Sequence, residues 1–372
     1  MTPELAIGIG ANIRKSPYFA ATLRAGVRSF SVYNHMFIPA HFGDPNGEYR
    51  SLIDGVVMWD VAAQRQVQIE GPDATRLAQY LTPRNLSGTR VGQGRYVPIC
   101  DHDGLLINDP VLLKLTEDRL WLSVADSDIH LWAAAIGRER GWNVRVSEPD
   151  VSPLAVQGPL AVEVIAALFG EWVRELRYFA FRETDLDGIP LVLARSGWSK
   201  QGGYELYLTD GRQGDALWDK VARAGEPFGI RPGAPNDIER VESGLVSYGS
   251  DMRLQVLPAD PFEMGLGGLV DLASGHEFVG REALLERAAQ PPARLRSGFW
   301  IEGNPDSPGH PVAILHNGAA VGMLSELVFS PRLQRCIGLG LIRADLASDA
   351  EGLTLDLPDA PRAKPTPLPF RV

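Results

Sequence analysis

The chain has 372 residues, of which 45% are hydrophobic and 22% charged, and its formal net charge is -10. Because this length exceeds the size at which a single hydrophobic core keeps growing, we expect two or three globular domains. The acidic balance excludes a protein that holds nucleic acid through clustered Lys and Arg, and it favours small-molecule partners.

The N-terminal segment and the cysteines bear on the cellular location of the protein. Residues 1–14 lack a basic start followed by an apolar core, and no later window has the apolar length that spans a bilayer. Cys100 and Cys336 stand far apart, with no second Cys or suitably spaced His beside them, which predicts two free thiols and no metal site. We therefore expect a cytoplasmic enzyme that contacts no membrane.

Two segments of the chain follow one design, in which a short alternating strand ends at Gly-Pro and an amphipathic helix follows. The segments are residues 67–81 and 154–169, with helices predicted over 75–81 and 162–169. Gly170 is expected to end the second helix. The repetition predicts two related α+β units.

Strands are also predicted between the two units and in the C-terminal part of the chain. Gly, Pro and Asn separate these runs, and a linker at 290–294 precedes the last group. Because helices and strands mix without the regular rhythm of a parallel sheet, the predicted fold class is α+β with a C-terminal domain that is a small β-barrel or a sandwich. The predicted strands are 96–100, 105–115, 120–125, 297–302, 312–316, 320–324 and 337–342.

The sequence from Ser196 to Tyr207 places a glycine-rich turn directly before a predicted strand. Side chains alternate between the two faces of a strand, so Glu205 and Tyr207 share one face, opposite Leu206. A carboxylate and a phenol on one face form a plausible wall of a ligand site.

Several motifs, in their order and spacing, resemble the aminomethyltransferase family, which is typified by the glycine-cleavage T-protein and binds tetrahydrofolate. Each motif alone is weak, but together they cover most of the chain. The motifs are Val67–Ala74, Gly104–Asp109, Ser196–Tyr207, Gly233–Gly244, Phe278–Leu284 and Val321–Ser325 with Ser330-Pro331.

Within this family the chain looks more like the branch that demethylates dimethylsulfoniopropionate. Three positions depart from the T-protein pattern: Trp198 replaces a Tyr, Ala125 an Asn, and Asn236 an Arg. These differences argue against a glycine-cleavage role and leave the folate site plausible. The segments that resemble the demethylase branch are Val32–Met36, Trp59–Val61, Val124–Asp128 and Pro235–Gly244.

The resemblance implies three domains arranged as a ring, with folate in the central channel. It agrees with the two related α+β units and the β-rich tail read from the sequence. The predicted domains are 1–50 with 145–245, 51–144 with 246–285, and the barrel 286–372.

The resemblance also implies which residues hold the folate. Glu205 would read the pterin, because a carboxylate can accept parallel hydrogen bonds from its amino and ring N–H groups. Asp109, held extended by Pro110, would contact the folate nitrogen and orient it, stabilise its charge or take its proton. Tyr96 and Tyr207 match aromatic positions of the folate channel.

The methyl donor would bind against Trp198, because an indole face attracts a sulfonium or quaternary ammonium and offers no nucleophile. Tyr207 belongs to the same predicted substrate site, and so does Ser123 near a strand end. Lys200 or an Arg would pair with a substrate carboxylate. The residues that would complete the cage around the donor are Trp172, Tyr33 and Met36.

The sequence thus predicts a tetrahydrofolate-dependent methyltransferase that converts dimethylsulfoniopropionate to methylmercaptopropionate and 5-methyltetrahydrofolate. Two alternatives stay open. The donor could be a methylated amine, a betaine or another onium compound, since an aromatic cage does not distinguish sulfur from nitrogen. The protein could also be a non-enzymatic folate-binding protein of the same fold. A homodimer is possible.

Overall fold

A computed structural model describes residues 9–371. The first eight residues of the predicted first domain lie outside this range. In the described part of the chain, no helix combines the length and the apolar character needed to cross a bilayer. The helices are α1 Phe19–Arg24, α2 Pro45–Asp54, α3 Ala74–Leu81, α4 Ile129–Glu139, α5 Ala161–Phe169, α6 Gly214–Gly225, α7 Asp237–Ser243 and α8 Arg281–Ala288.

The strands fall into three groups along the chain. The first group is β1 Ser29–Tyr33, β2 Met36–His41, β3 Val57–Asp60, β4 Gln66–Glu70, β5 Gln93–Tyr96, β6 Ile99–Cys100, β7 Leu106–Asn108, β8 Val111–Lys114, β9 Arg119–Ser123 and β10 Arg145–Ser147. The second is β11 Ser152–Gln157, β12 Phe181–Leu186, β13 Ile189–Ala194, β14 Gly203–Leu208 and β15 Arg231–Gly233. The third is β16 Arg294–Ile301, β17 Val312–His316, β18 Ala319–Ser330, β19 Arg335–Arg343, β20 Leu353–Leu355 and β21 Ala363–Thr366.

Two mixed units, each a sheet packed on helices, form the first two-thirds of the molecule. The sheet of the first unit has the order β12-β13-β14-β11-β3-β15, and that of the second has the order β10-β4-β9-β8-β5. One face of each sheet is covered by the helix that follows the Gly-Pro turn, α5 in the first unit and α3 in the second. The observed helix limits lie within one residue of the predicted ones.

The Gly-Pro turns of the two units share one backbone geometry. Gly71 follows β4 with φ 122°, and Gly158 follows β11 with φ 114°. A Cβ atom would lie 2.6 Å from the Asn143 carbonyl oxygen at the first glycine and 2.5 Å from the Gly55 carbonyl oxygen at the second. Both turns therefore require glycine, for their positive φ and for close backbone approach.

We expect Gly158→Ala to lower the free energy of unfolding by at least about 2 kcal/mol, because the variant combines positive φ with a backbone clash. The matched control is Gly188→Ala, where φ is 83° and, beyond the two adjacent residues, no described atom lies within 4 Å of the added Cβ. That control should cost only about 1 kcal/mol. Equal shifts in the midpoints of chemical unfolding would contradict the role of the clash.

The C-terminal sheet has the order β20-β17-β18-β19-β16-β21. A bridge between Thr354 of β20 and Arg362, just before β21, joins the two ends of this order. The sheet therefore curls into a barrel, and its interior is filled by side chains such as Phe299, Ile314 and Leu355.

Apolar clusters join the three parts of the molecule in a ring. The two units meet through Trp121 of β9 and Tyr207 of β14, and Leu106 of the second unit belongs to the same cluster as Leu341 of the barrel. Val241 of α7, from the first unit, packs with barrel residues. Each part thus contacts the other two.

The strand pairings bear on where the domains divide. β3 pairs with β11 in the first sheet, and β10 pairs with β4 in the second. These pairings favour one domain boundary after β3 and another after β10, in place of the predicted boundaries at residues 50 and 145. We propose these two boundaries on that basis.

Candidate active site

Asp109 lies at the strand irregularity between β7 and β8, where Pro110 interrupts the pairing. Its Oδ2 accepts a hydrogen bond of 3.0 Å from the Tyr96 hydroxyl and one of 3.3 Å from the Tyr248 backbone N–H. The side chain of Asn108, next to it, caps the Asp109 N–H at 3.0 Å. The carboxylate is therefore held in a fixed orientation between the second sheet and the segment that follows α7.

The electrostatics of Asp109 suit proton transfer near neutral pH. Burial raises the pKa of the Asp109 carboxyl to about 7, and the charge of Asp251 adds to this rise. The hydrogen bonds from Tyr96 and Tyr248 oppose it. A carboxylate with such a pKa can accept a proton and release it again at physiological pH.

Glu205 and Tyr207 share one face of β14, as the alternation of the strand predicts. The Tyr207 hydroxyl donates to Glu205 Oε2 at 3.0 Å, and the Ser196 hydroxyl donates to the same oxygen. Within residues 9–371, Oε1 accepts no hydrogen bond. Burial raises the pKa of Glu205, against the effect of the two hydroxyls. One oxygen of this buried side chain thus remains available to an N–H donor.

The glycine-rich turn before β14 is shaped by Gln157 at the end of β11. Its amide donates to the Ser196 carbonyl oxygen at 3.2 Å and accepts from the Ser199 hydroxyl at 2.9 Å. A Cβ on Gly197 or Gly203 would come within 2.4 Å of this amide. The glycines therefore let a buried side chain fix the loop that carries Ser196 and Trp198.

Ser123 connects the two sheets. It ends β9, where it pairs with Val111 two residues after Asp109, and it accepts a hydrogen bond of 3.0 Å from Gln66. The Tyr207 hydroxyl of the first unit lies beside it. The carboxylates of Glu205 and Asp109 therefore lie toward the same interface between the units.

The turn of the β1–β2 hairpin brings Tyr33 to the Asp109 site. Asn34 and His35 have positive φ, as a tight hairpin turn requires. The Asn34 N–H donates to Asp126 Oδ1 at 2.7 Å, which anchors the turn to the second unit. The Tyr33 ring packs against the core of the first unit, burial raises the pKa of its hydroxyl, and the charge of Asp109 adds to this rise, so the hydroxyl lies within electrostatic range of that carboxylate.

Trp198 stands over a buried ion cluster at the junction of the three parts. The Arg240 guanidinium carbon lies 5.8 Å from the centre of its ring. Arg240 donates to Asp251 Oδ1 at 3.0 Å and lies 2.8 Å from Glu326 Oε1, and Arg296 donates to Asp251 Oδ2 at 3.2 Å. Burial acts to raise the pKa of Asp251, but the two arginines hold it below its usual range. The cluster fixes one side of the indole.

The structure does not bring three of the residues predicted to bind the methyl donor to the site around Asp109 and Trp198. Trp172 lies in a short helix at 171–175, where the Arg182 guanidinium covers its ring at 4.9 Å and the ring packs on the core of the first unit. Met36 is buried in the same core. That core covers the face of β14 opposite Glu205. Lys200 is exposed; its backbone N–H donates to Glu239, and its ammonium group has no partner among residues 9–371.

Sequence reasoning missed the residues that support the site rather than face it. The most important are Ser196, which binds Glu205, and Arg240, which lies beneath Trp198. Asn236, where the family pattern has Arg, caps α7 by accepting from the Glu239 N–H at 3.0 Å. Of these, only the cap has a local signal, an Asn before an acidic first turn.

Comparisons with known proteins match nearly the whole chain. The GCVT N-terminal domain matches residues 19–274, and the glycine cleavage T-protein C-terminal barrel domain matches residues 294–370.

Relatives and a solved structure agree with these matches. Dimethylsulfoniopropionate demethylase DmdA of Ruegeria pomeroyi is 40% identical over 94% of this chain and 95% of its own length. Aminomethyltransferase of Halothermothrix orenii is 28% identical over 92% and 95%. The glycine cleavage system aminomethyltransferase T of Bartonella henselae superimposes with a TM-score of 0.85 over 96% of this chain and 98% of its own, at 23% identity, which confirms the predicted fold. The chain therefore belongs to the glycine cleavage T-protein family.

Proposed function

We propose that this protein transfers a methyl group from dimethylsulfoniopropionate to tetrahydrofolate. The products are methylmercaptopropionate and 5-methyltetrahydrofolate. The observation that carries the proposal is the 40% identity, over 94% of the chain, to a dimethylsulfoniopropionate demethylase. The cytoplasmic location and the homodimer stay predictions.

The residues around Glu205 fit a reduced pterin. Ser196 and Tyr207 occupy one carboxylate oxygen, while the other has no donor among residues 9–371. A buried carboxylate in this state is stabilised by N–H donors from a ligand, and the pterin edge presents an amino group beside a ring N–H. Tyr96, which is half-buried, would supply aromatic surface at the unit interface, whereas Tyr207 is fully buried and acts through its hydroxyl, which supports Glu205.

The site supplies alignment and a proton acceptor. When bound, tetrahydrofolate supplies the nitrogen that takes the methyl group and then gives up a proton. The carbon–sulfur bond breaks with its electron pair left on sulfur, so the leaving group is a neutral thioether. Trp198 and Tyr33 would hold the sulfonium, and Asp109 would orient the acceptor and take its proton. Alignment alone can be worth roughly 7–11 kcal/mol of the barrier.

The test mixes the purified protein with tetrahydrofolate and dimethylsulfoniopropionate and measures methylfolate by chromatography. Formation above a protein-free control supports the proposal, and its absence overturns the donor assignment. A parallel panel of glycine betaine and methylated amines tests the alternative donors. Tight folate binding without turnover of any donor would instead indicate the non-enzymatic role.

A further inference from the structure

Dimethylsulfoniopropionate carries a carboxylate as well as a sulfonium, and the following inference rests on the proposed function. We propose that Arg253 binds the carboxylate of a reactant at the edge of the Asp109 site. Two reactants carry such a group, the donor and the glutamate tail of the folate. The short reach from sulfonium to carboxylate in the donor makes it the occupant that we expect.

Arg253 lines a cavity of about 290 Å³ between the second unit and the barrel. Ser250, Leu257, Pro311 and Glu326 are among its other walls, and the Arg253 side chain is 42% exposed. Consecutive backbone residues connect the cavity to the Asp109 site. Tyr248 donates its N–H to Asp109, and the two residues that follow it line the cavity.

The guanidinium of Arg253 lies close to the groups around Asp109. Its positive charge opposes the rise in the pKa of Tyr33 and of Tyr248 that burial produces, so both tyrosines are within its electrostatic reach. Both tyrosines also flank Asp109. A carboxylate bound to Arg253 would therefore place the rest of a small zwitterion beside the proposed methyl acceptor.

One ion pair orients Arg253 and leaves most of its donors unused. Nη2 donates to Asp126 Oδ2 at 3.1 Å, and the other oxygen of Asp126 accepts the Asn34 N–H. Among the partners that the structure describes, Nε and Nη1 of Arg253 have none. A guanidinium held at one corner can still bind a carboxylate through its remaining N–H groups.

Other basic residues near the site are less suited to this role. Arg240 and Arg296 are held by Asp251, and their side chains are only 0% and 7% exposed. Lys200, the basic residue named in the sequence prediction, does not line the cavity. Arg253 is thus the arginine in the cavity wall with both a fixed position and unused donors.

The cavity also contains an acid that would repel a carboxylate. Glu326 lies in its wall, 2.8 Å from an Arg240 nitrogen. Burial raises the pKa of Glu326 to about 7 despite that arginine. Its negative charge is therefore partly removed by protonation and partly balanced by Arg240, which reduces its repulsion of a carboxylate bound at Arg253.

The test compares Arg253→Gln with Arg119→Gln, using steady-state kinetics. Arg119 is a matched control because it is 38% exposed and has one carboxylate partner, Glu183, at 2.9 Å on the outer surface. Loss of a charge-assisted carboxylate contact should raise the KM of one reactant at least about tenfold, with kcat within about twofold. Arg253→Lys should recover part of the loss.

Two substrate analogues assign the carboxylate. Where Arg253→Gln raises the KM of dimethylsulfoniopropionate, equal donor KM values of the two proteins with trimethylsulfonium, which has no carboxylate, assign the donor as the occupant. Where it raises the KM of tetrahydrofolate instead, equal folate KM values with tetrahydropteroate, which lacks glutamate, assign the folate tail. Either result supports a carboxylate site.

Unchanged KM values for both reactants in Arg253→Gln would overturn the inference, and so would an equal rise in both together with a lower melting temperature. Wild-type turnover is measured first, because its absence overturns the proposed function and not the carboxylate site. In that case, calorimetric titration of donor and of folate into wild type and Arg253→Gln decides the inference. Equal binding of both reactants by the two proteins overturns it.

Discussion

Replacing Asp109 by Asn should reduce methyl transfer at least about tenfold while the protein stays folded, which corresponds to a loss of about 1.4 kcal/mol or more of transition-state stabilisation. Asn keeps the size of the side chain and its contacts with Tyr96 and Tyr248. It cannot take a proton at neutral pH. The measurement is methylfolate formation at saturating donor and folate.

The pH dependence of Asp109→Asn separates proton transfer from positioning. With a carboxyl pKa of about 7, wild-type activity should rise as the pH increases through 7, because only the ionised form accepts a proton. The Asn variant should lose this rise. Asp103→Asn, in the exposed turn before β7, is the control and should behave as wild type. Unchanged turnover of the Asp109 variant would remove this residue from the mechanism.

The same substitution should change how stability depends on pH. The folded-state pKa of Asp109 lies above the unfolded value near 3.8. At a pH between these two pKa values, the folded protein therefore binds a proton that the unfolded protein does not. Wild-type stability therefore falls as the pH rises from about 4 to 7, by up to about 1.4 kcal/mol per pH unit from this group. Asp109→Asn should remove that slope, which urea unfolding at several pH values measures.

Replacing Glu205 by Gln should weaken tetrahydrofolate binding by about 10- to 100-fold. The expected loss of about 1.5–3 kcal/mol is that of hydrogen bonds to a charged acceptor, because the amide presents one acceptor and one mismatched donor to the pterin edge. Isothermal titration of the folate measures it. Tyr207→Phe removes one support of Glu205 and should give a smaller loss.

The melting temperature of Glu205→Gln distinguishes a ligand-binding role for Glu205 from a structural role. Burial raises the pKa of Glu205, so the folded protein bears a cost for keeping it ionised. Replacement by neutral Gln should then leave the melting temperature unchanged or higher while folate binding falls. A lower melting temperature with unchanged folate affinity would show that Glu205 supports the fold and not the ligand.

Local patterns predicted the parts of the molecule that depend on neighbouring residues in sequence. The alternation of β14 placed Glu205 and Tyr207 on one face because successive side chains in a strand must alternate, and the Gly-Pro turns marked both units. The family resemblance supplied the ring and the barrel, which the solved relative confirms. The roles of Asp109, Glu205, Tyr96, Tyr207 and the donor-binding residues stay predictions.

What the sequence did not predict depends on distant contacts. Arg240 meets Asp251 and Glu326 from three separate parts of the chain, and no spacing rule links these positions. Trp172 was assigned to the site by residue type, but the short helix that carries it directs its ring toward Arg182. The β3 strand joins the first sheet by pairing with β11, a partner that sequence position alone does not identify.

The buried cluster of Arg240, Asp251, Arg296 and Glu326 has a consequence for how reactants reach the interior. Its arginines and acids come from α7, from the segment after it, and from the barrel, so swinging any one part outward would break at least one ion pair between the parts. Such hinged opening is energetically disfavoured. We therefore expect reactants to enter and leave without a hinge motion that separates the three parts.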